Sequence, residues 1–318
     1  MKVKPAPMRL RHHVEYLALV SLAALCRALP RRAALAVGAA IGALGWALRV
    51  RRGLVLANLA QALPGAPPRE LRRLGARAAR NFGRSVIEIV RVGGRDRRRL
   101  DRYVSFSGLS ELRAAAKGAG AIVVSPHLGP WGLYITALAT SGLPAALLAG
   151  RQHNPKVDAF ILGIPGDVVR MISKGPAAPR EVLRCLRERR VVMMVADQDA
   201  GERGDMAPFL GRVASTLPLP AAVALRHGTP LFALAGHRVA GGRHEVALRR
   251  IEAPAGGGDA HRLALTARIN TALGDAVLAH PDQYFWYHRR WRDYPHRPGD
   301  VGVAAQAAPG VDGESNAR

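Results

Sequence analysis

Residues 121–140 read AIVVSPHLGPWGLYITALAT, and the order of residue types there decides the fold. Ala121–Ser125 is a short apolar run with β-branched residues, the length and composition of a buried strand. Pro126, Gly129 and Pro130 mark a turn, and residues 130–141 return to helical character. His127 falls in that turn, between a strand and a helix. In a sheet covered by helices, loops at the carboxyl ends of strands form an exposed rim where ligands bind. A neutral imidazole on such a rim is suited to take a proton from a hydroxyl that attacks an activated carbonyl. A histidine that only packs at a strand end is the competing reading.

The same alternation continues outward. Ala145–Ala149 reads as a strand, residues 178–190 as an Arg-rich helix, and Val191–Ala196 (VVMMVA) as a buried strand. Residues 218–227 read as a helix, Leu231–Ala235 and His244–Ile251 as strands, and residues 260–280 as a last helix. Strand–helix alternation predicts an α/β fold, a central sheet flanked by helices. Upstream, residues 54–100 read as helical. Leu71, Leu74, Ala78, Phe82, Val86, Ile89 and Val90 line one face of a helix from about Arg69 to Val92, and Arg72, Arg73, Arg77, Arg80 and Arg84 line the other. That basic row reads as a solvated face, and it also suits an acidic carrier or phosphate-rich lipid. Residues 297–318 have the composition of a disordered tail.

The chain has 318 residues, 49% of them hydrophobic, enough for a sizeable core and too many for global disorder. Two cysteines, Cys26 and Cys185, exclude a disulfide scaffold and a cysteine-based zinc site. Charge is the outlier: Lys plus Arg total 47 against 23 acidic residues, a net +24. Residues 1–103 carry 22 basic and five acidic side chains, so most of the excess lies in the first third. An anionic partner follows: nucleic acid, anionic lipid or an acidic protein.

Apolar runs choose among these. Tyr16–Cys26 is almost uninterrupted, Pro30-Arg31-Arg32 breaks it, and Ala33–Leu48 holds only apolar residues and Gly. A helix of this length spans about 24 Å against a hydrocarbon core of about 30 Å. A buried helix pair and a signal peptide are the alternatives. Arg residues on both flanks favour the membrane, where they snorkel to lipid phosphates. Three regions result: a membrane-anchoring segment over 1–52, an α/β domain over 53–296 and the tail over 297–318. No recognition motif supports nucleic acid, and the apolar anchor argues against it.

HLGPWGL (residues 127–133) resembles the His-Phe-Gly-Asn-Trp-Glu-Leu signature of the lipid A late acyltransferases, the lauroyl/myristoyl transferase family of bacterial inner membranes. Three further segments match in order. MMVADQD (193–199) resembles the family's Asp-Gln-Asp strand end, and PFLGRVAST (208–216) its Pro-Phe-Phe-Gly loop. QYFWYHRRW (283–291) resembles its carboxyl-terminal motif, and Asn58-Leu59 its early helix. Together they cover about residues 10–295.

The resemblance implies a glycerolipid-acyltransferase-like fold with a mixed central sheet, at the cytoplasmic face of the inner membrane. It implies His127 as general base, an acyl carrier protein as acyl donor, and a hydroxyl of a lipid A-type or related glycolipid as acceptor. No metal or organic cofactor is implied. Arg151 matches a family arginine and joins Asp197, Gln198 and Asp199 as candidate substrate-binding residues; capping a loop is the alternative role for the last three. Two positions depart from the pattern. Gly132 stands where the acid of H-x-x-x-x-D/E belongs, and Ile164 where the family places a second arginine. Asp197 or Asp199 is a candidate substitute for the acid, and a catalytically degenerate accessory or lipid-binding protein is the alternative function. Pro208–Thr216 reads as the wall of an acyl pocket or an ordered surface loop, and His288–Trp291 as a phosphate-binding cluster or carboxyl-terminal packing, the aromatic content favouring packing. His153, His227, His237 and His244 read as structural.

Overall fold

The computed structural model describes residues 10–294, so the tail expected over 297–318 lies outside the described residues. Four helices come first: α1 (Leu10–Ala28), α2 (Arg31–Ala47), α3 (Arg52–Ala62) and α4 (Pro68–Val92). Pro68 occupies the first turn of α4, where a missing N–H costs nothing. The chain then alternates through α5 (Leu100–Tyr103), β1 (Val104–Ser107), α6 (Leu109–Ala119), β2 (Ala121–Ser125), α7 (Trp131–Thr140), β3 (Ala145–Ala149), α8 (Pro155–Gly163) and β4 (Val169–Ser173). It continues with α9 (Ala178–Arg187), β5 (Val191–Val195), β6 (Asp205–Phe209), β7 (Arg212–Thr216), α10 (Leu219–His227), β8 (Leu231–Arg238), β9 (His244–Arg250) and α11 (Asp259–Ala279).

Seven strands form one sheet in the order β1-β9-β8-β2-β5-β3-β4. β2 runs parallel to both β5 and β8, β3 runs parallel to β5 and β4, and β9 runs antiparallel to β8. The sheet is mixed, as expected. β2 is buried along its whole length, with Ile122 and Val124 in one core and Val123 in the other. Burial on both faces is why its sequence is a continuous apolar run rather than an alternation. β9 is covered less completely and alternates. β1, α6, α8 and β4 are additional to the elements expected. Residues 208–216 are neither an open loop nor flat surface: they belong to the β6–β7 hairpin, which buries Phe209, Ala214, Ser215 and Thr216.

The amino-terminal helices have one packed and one exposed flank. α2 packs closely on α4: a Cβ at Gly38 would lie 2.6 Å from the Gly83 carbonyl oxygen. Small residues are what permit that approach, so one flank of α2 is a buried helix contact. The other flank leaves Ile41, Leu44 and Leu48 exposed, the last at 68%, and α1 exposes Leu10, Val14, Leu17 and Leu25. Among the described residues no single helix is long and apolar enough to cross a membrane. The pair α2 and α3, bent by 95°, passes by length and composition together.

Arg31 corrects the expectation that the break between the first two helices snorkels. Its guanidinium turns inward and pairs with Glu88 at 2.6 Å and Asp96 at 3.0 Å. Glu88, on α4, is fully buried and also accepts from Arg238 and bonds His244 at 2.9 Å. Burial alone would raise the Glu88 carboxyl, but Arg238 and His244 outweigh it and hold it near 2. A buried carboxylate with this many donors ties α2, α4, β8 and β9 together.

Candidate active site

The sheet brings the rim together at the ends of β2 and β5. Ser125 pairs in register with Val195, so the residues that follow each strand emerge side by side. His127 leaves β2 and Asp197 leaves β5. Their side chains meet: His127 Nδ1 lies 2.6 Å from Asp197 Oδ1, and the His127 backbone N–H donates to Asp197 Oδ2 at 2.9 Å. Asp197 is buried, while the imidazole keeps some exposure.

Burial works against the Asp197 charge. The adjacent His127 ring, two hydrogen bonds from His127 and the Tyr284 hydroxyl more than compensate, so the carboxyl stays below its ordinary value. Tyr284 is itself buried beside that carboxylate, and burial first, then the neighbouring charge, keeps its hydroxyl protonated as a donor. The Asp197 carboxylate on Nδ1 fixes the ring tautomer with a proton there and turns Nε2 toward the rim. Gln198 fits that assignment, since its side-chain amide sits 3.3 Å from His127 Nε2 and can donate to the lone pair.

The carboxyl-terminal strap, residues 283–291, holds this arrangement from outside the sheet. The Gly129 N–H donates to the Gln283 carbonyl at 3.0 Å, and the Phe285 N–H donates to the His127 carbonyl at 3.0 Å. Gly129 has φ +58°, and a Cβ there would strike the Tyr134 hydroxyl, so the loop needs glycine on both counts. Farther along, His288 Nε2 accepts from the Asp199 N–H at 2.9 Å. Burial above all pushes His288 down to about 4, which keeps it a neutral acceptor. Buried Arg290 donates to the Ser215 carbonyl, to Thr216 Oγ1 at 2.7 Å and to the Gln198 carbonyl at 3.4 Å. The expected packing role of this segment therefore extends, through His288 and Arg290, to holding the loop that carries Gln198.

Half-buried aromatics flank the imidazole. Trp131 meets His127 edge to face at 4.6 Å between ring centres, and Phe285 lies 6.0 Å away. Phe82 of α4 packs on Phe285 at 4.8 Å and on Tyr287 at 5.7 Å. The result is an apolar-walled approach to one basic nitrogen.

Not every expected residue reaches this centre. Asp199 is turned away: its carboxylate accepts from the Gly201 N–H and the Tyr294 hydroxyl, the loop-capping role. Arg151 follows β3 on the same edge of the sheet but is exposed and makes no bond to His127 or Asp197. Gly132 faces α4, and a Cβ there would meet Ile89 at 3.2 Å. Ile164 is buried among apolar side chains, and its own side chain brings no charge to the site. Tyr284 and Phe82 were not legible as site residues. The tyrosine stands in QYFWYHRRW with no chemical cue to its partner, and Phe82 reads as one more apolar position on α4.

A family model described as bacterial lipid A biosynthesis acyltransferase matches residues 2–293. A curated relative, the phosphatidylinositol mannoside acyltransferase of Mycobacterium tuberculosis (strain CDC 1551 / Oshkosh), is 30% identical over 183 residues. The match takes in 55% of this chain and 58% of that protein, so the chain spans little more than half of the relative's length.

Proposed function

The chain belongs to the bacterial lipid A biosynthesis acyltransferase family, and from that premise we propose that it transfers a fatty acyl chain from a carrier thioester to a hydroxyl of a membrane glycolipid. The His127–Asp197 pair at 2.6 Å carries this reading. An acceptor hydroxyl displaces the Gln198 amide from Nε2 and gives its proton to that nitrogen as its oxygen attacks the thioester carbonyl. The tetrahedral intermediate collapses with loss of the thiolate, which takes the proton back from the imidazolium. An ester and a free thiol result. Asp197 stabilises the imidazolium between those two events and holds its orientation.

This division of labour answers the missing acid. The carboxylate comes from the neighbouring strand rather than from the turn of helix after the histidine, so Gly132 need not mean lost activity. The His127–Asp197 pair supports this reading over a catalytically degenerate accessory protein.

The acceptor class is a lipid-anchored sugar. The family description names lipid A and the relative's name names a phosphatidylinositol mannoside, and glycolipid is what the two have in common. An acyl carrier protein is the donor we assign. Arg72, Arg73, Arg77 and Arg80 are exposed along α4, the helix that also brings Phe82 to the site. Such a row steers an acidic carrier toward the thioester's destination. We assign the protein to the cytoplasmic face of the inner membrane, a reading that the exposed apolar flanks of α1 and α2 support.

The test is an acyl-transfer assay on the full chain in bacterial membranes, with acyl carrier thioester and a panel of glycolipid acceptors read by mass spectrometry. One acceptor should gain an ester-linked chain. Chains appearing on no acceptor above a heat-inactivated control would overturn the reading.

A further inference from the structure

A second feature shares no lining residue with the side chains that touch His127. α3 and the strap diverge to leave a groove of about 520 Å³, lined by Leu54, Ala57, Gln61, Arg212, Arg289 and Trp291. We propose that this groove binds the phosphate-bearing headgroup of an anionic membrane phospholipid.

Two guanidiniums from separate elements line it. Arg289 lies between inward-facing Arg290 and the half-buried His288, yet it is exposed. Arg212, at the start of β7, pairs with Asp293 at 2.9 Å, but that carboxylate is 96% exposed. So exposed a pair contributes little, and a phosphate competes with it. Two guanidiniums offer a phosphate charge-assisted and bidentate contacts that a single lysine does not.

The remaining lining sets apolar Leu54, Ala57, Ala60 and Trp291 beside the polar Asn58 and Gln61. The Trp291 indole N–H donates to the Phe209 carbonyl at 3.2 Å, which fixes the ring as part of the wall. Leu54 and Ala57 supply the opposite side from α3. Leu54, in the first turn of α3, follows Val50, which with Leu48 forms the exposed apolar elbow between α2 and α3. Arg51, at the same elbow, donates to the Tyr287 carbonyl at 3.0 Å and so ties elbow to strap. A ligand with a phosphate at one end and hydrocarbon at the other matches this sequence of surfaces. A free inorganic phosphate uses only half of them.

The proposal rests on the membrane placement given above and not on acyl transfer, and its test involves no turnover. The full-length protein is titrated calorimetrically with dihexanoyl phosphatidylglycerol below its micelle threshold, with dihexanoyl phosphatidylcholine and with inorganic phosphate. Wild type should bind the anionic lipid in preference to both others. Arg212→Gln/Arg289→Gln should weaken that binding by at least about tenfold, since two charge-assisted contacts are lost. Arg72→Gln/Arg73→Gln, with the same loss of charge on exposed α4, should stay within about twofold of wild type. Equal weakening by both double variants would mean diffuse attraction and would overturn the site. So would phosphatidylcholine or inorganic phosphate binding as tightly as the anionic lipid. Acyl transfer by the groove variant, measured in detergent, should be retained, which keeps failure here separate from failure of the functional reading.

Discussion

Asp197→Asn removes one negative charge and leaves the side chain its size. In the native arrangement the carboxylate lies 2.6 Å from His127 Nδ1 and is buried, so little water shields the pair. During acyl transfer the ring becomes an imidazolium whose charge is spread over about 4 Å from that carboxylate. With an effective dielectric of about 20, the attraction is about 4 kcal/mol. Every 1.4 kcal/mol is roughly tenfold in rate, so kcat should fall about 10³-fold. The asparagine amide also permits the opposite tautomer, with the proton on Nε2, and this acts in the same direction. KM should move much less, because Asp197 meets the ring and not the substrate. The assay is steady-state acyl transfer with purified protein, with a circular dichroism melt to confirm folding. Asp199→Asn is the control, since its carboxylate serves the loop and the Tyr294 hydroxyl. A folded Asp197→Asn protein with kcat within about threefold of wild type would refute the reasoning, because that ratio corresponds to well under 1 kcal/mol.

Gly132→Glu should lower turnover rather than restore a missing acid, because Nδ1 is already occupied and a Cβ at 132 meets Ile89 at 3.2 Å; higher turnover would contradict the assignment of Asp197. Glu88 is held near 2 against an ordinary 4.5, so its contribution to stability is fully present above about pH 4.5 and lost as pH falls toward 2. That contribution is of the order of 3 kcal/mol. Glu88→Gln should therefore be less stable at pH 7 but show a flatter fall in Tm between pH 5 and 3, and an unchanged slope would remove Glu88 from acid unfolding. Leu44→Gln/Leu48→Gln alters only the exposed flank of α2. It should shift the protein from membranes to the supernatant after a high-salt wash, by at least about tenfold, because two leucine side chains are each worth roughly 1.5–3 kcal/mol; full retention would mean this flank does not touch lipid.

Much of the scaffold was legible because burial on both faces leaves so plain a mark. Ala121–Ser125 and Ala145–Ala149 are observed with the expected bounds, and VVMMVA lost only its last residue. β1 and β4 carry no such mark: VSFS and VRMIS mix polar and apolar residues at strand positions that are only partly covered. The β6–β7 hairpin was hidden by Pro208 and Gly211, which read as loop residues although Pro208 is exposed and its ladder is only two strands wide. The apolar length of α2 suggested lipid all round, whereas Gly38 and Gly42 bring one flank onto α4. At the site, His127 and Asp197 could each be placed on a strand end, and Asp197 was one of two candidate acids. Choosing between Asp197 and Asp199 needed the register of β2 with β5 and the turn after Asp197, neither of which a linear pattern contains. Arg151 had the right edge of the sheet but no bond to the centre, and the inward turn of Arg31 depended on Glu88 and Asp96 from a different part of the chain.

The central claim is that His127 Nε2 takes the acceptor's proton in acyl transfer. The most direct measurement is a single-turnover experiment with purified protein, carrier thioester and the acceptor identified in membranes, following thiol release and ester formation together. Wild type should form one ester for each thiol released. His127→Gln should bind both substrates and slow the common step by about 10²–10⁴-fold, the usual share of a general base. Ester formation by His127→Gln at the wild-type rate would contradict the account.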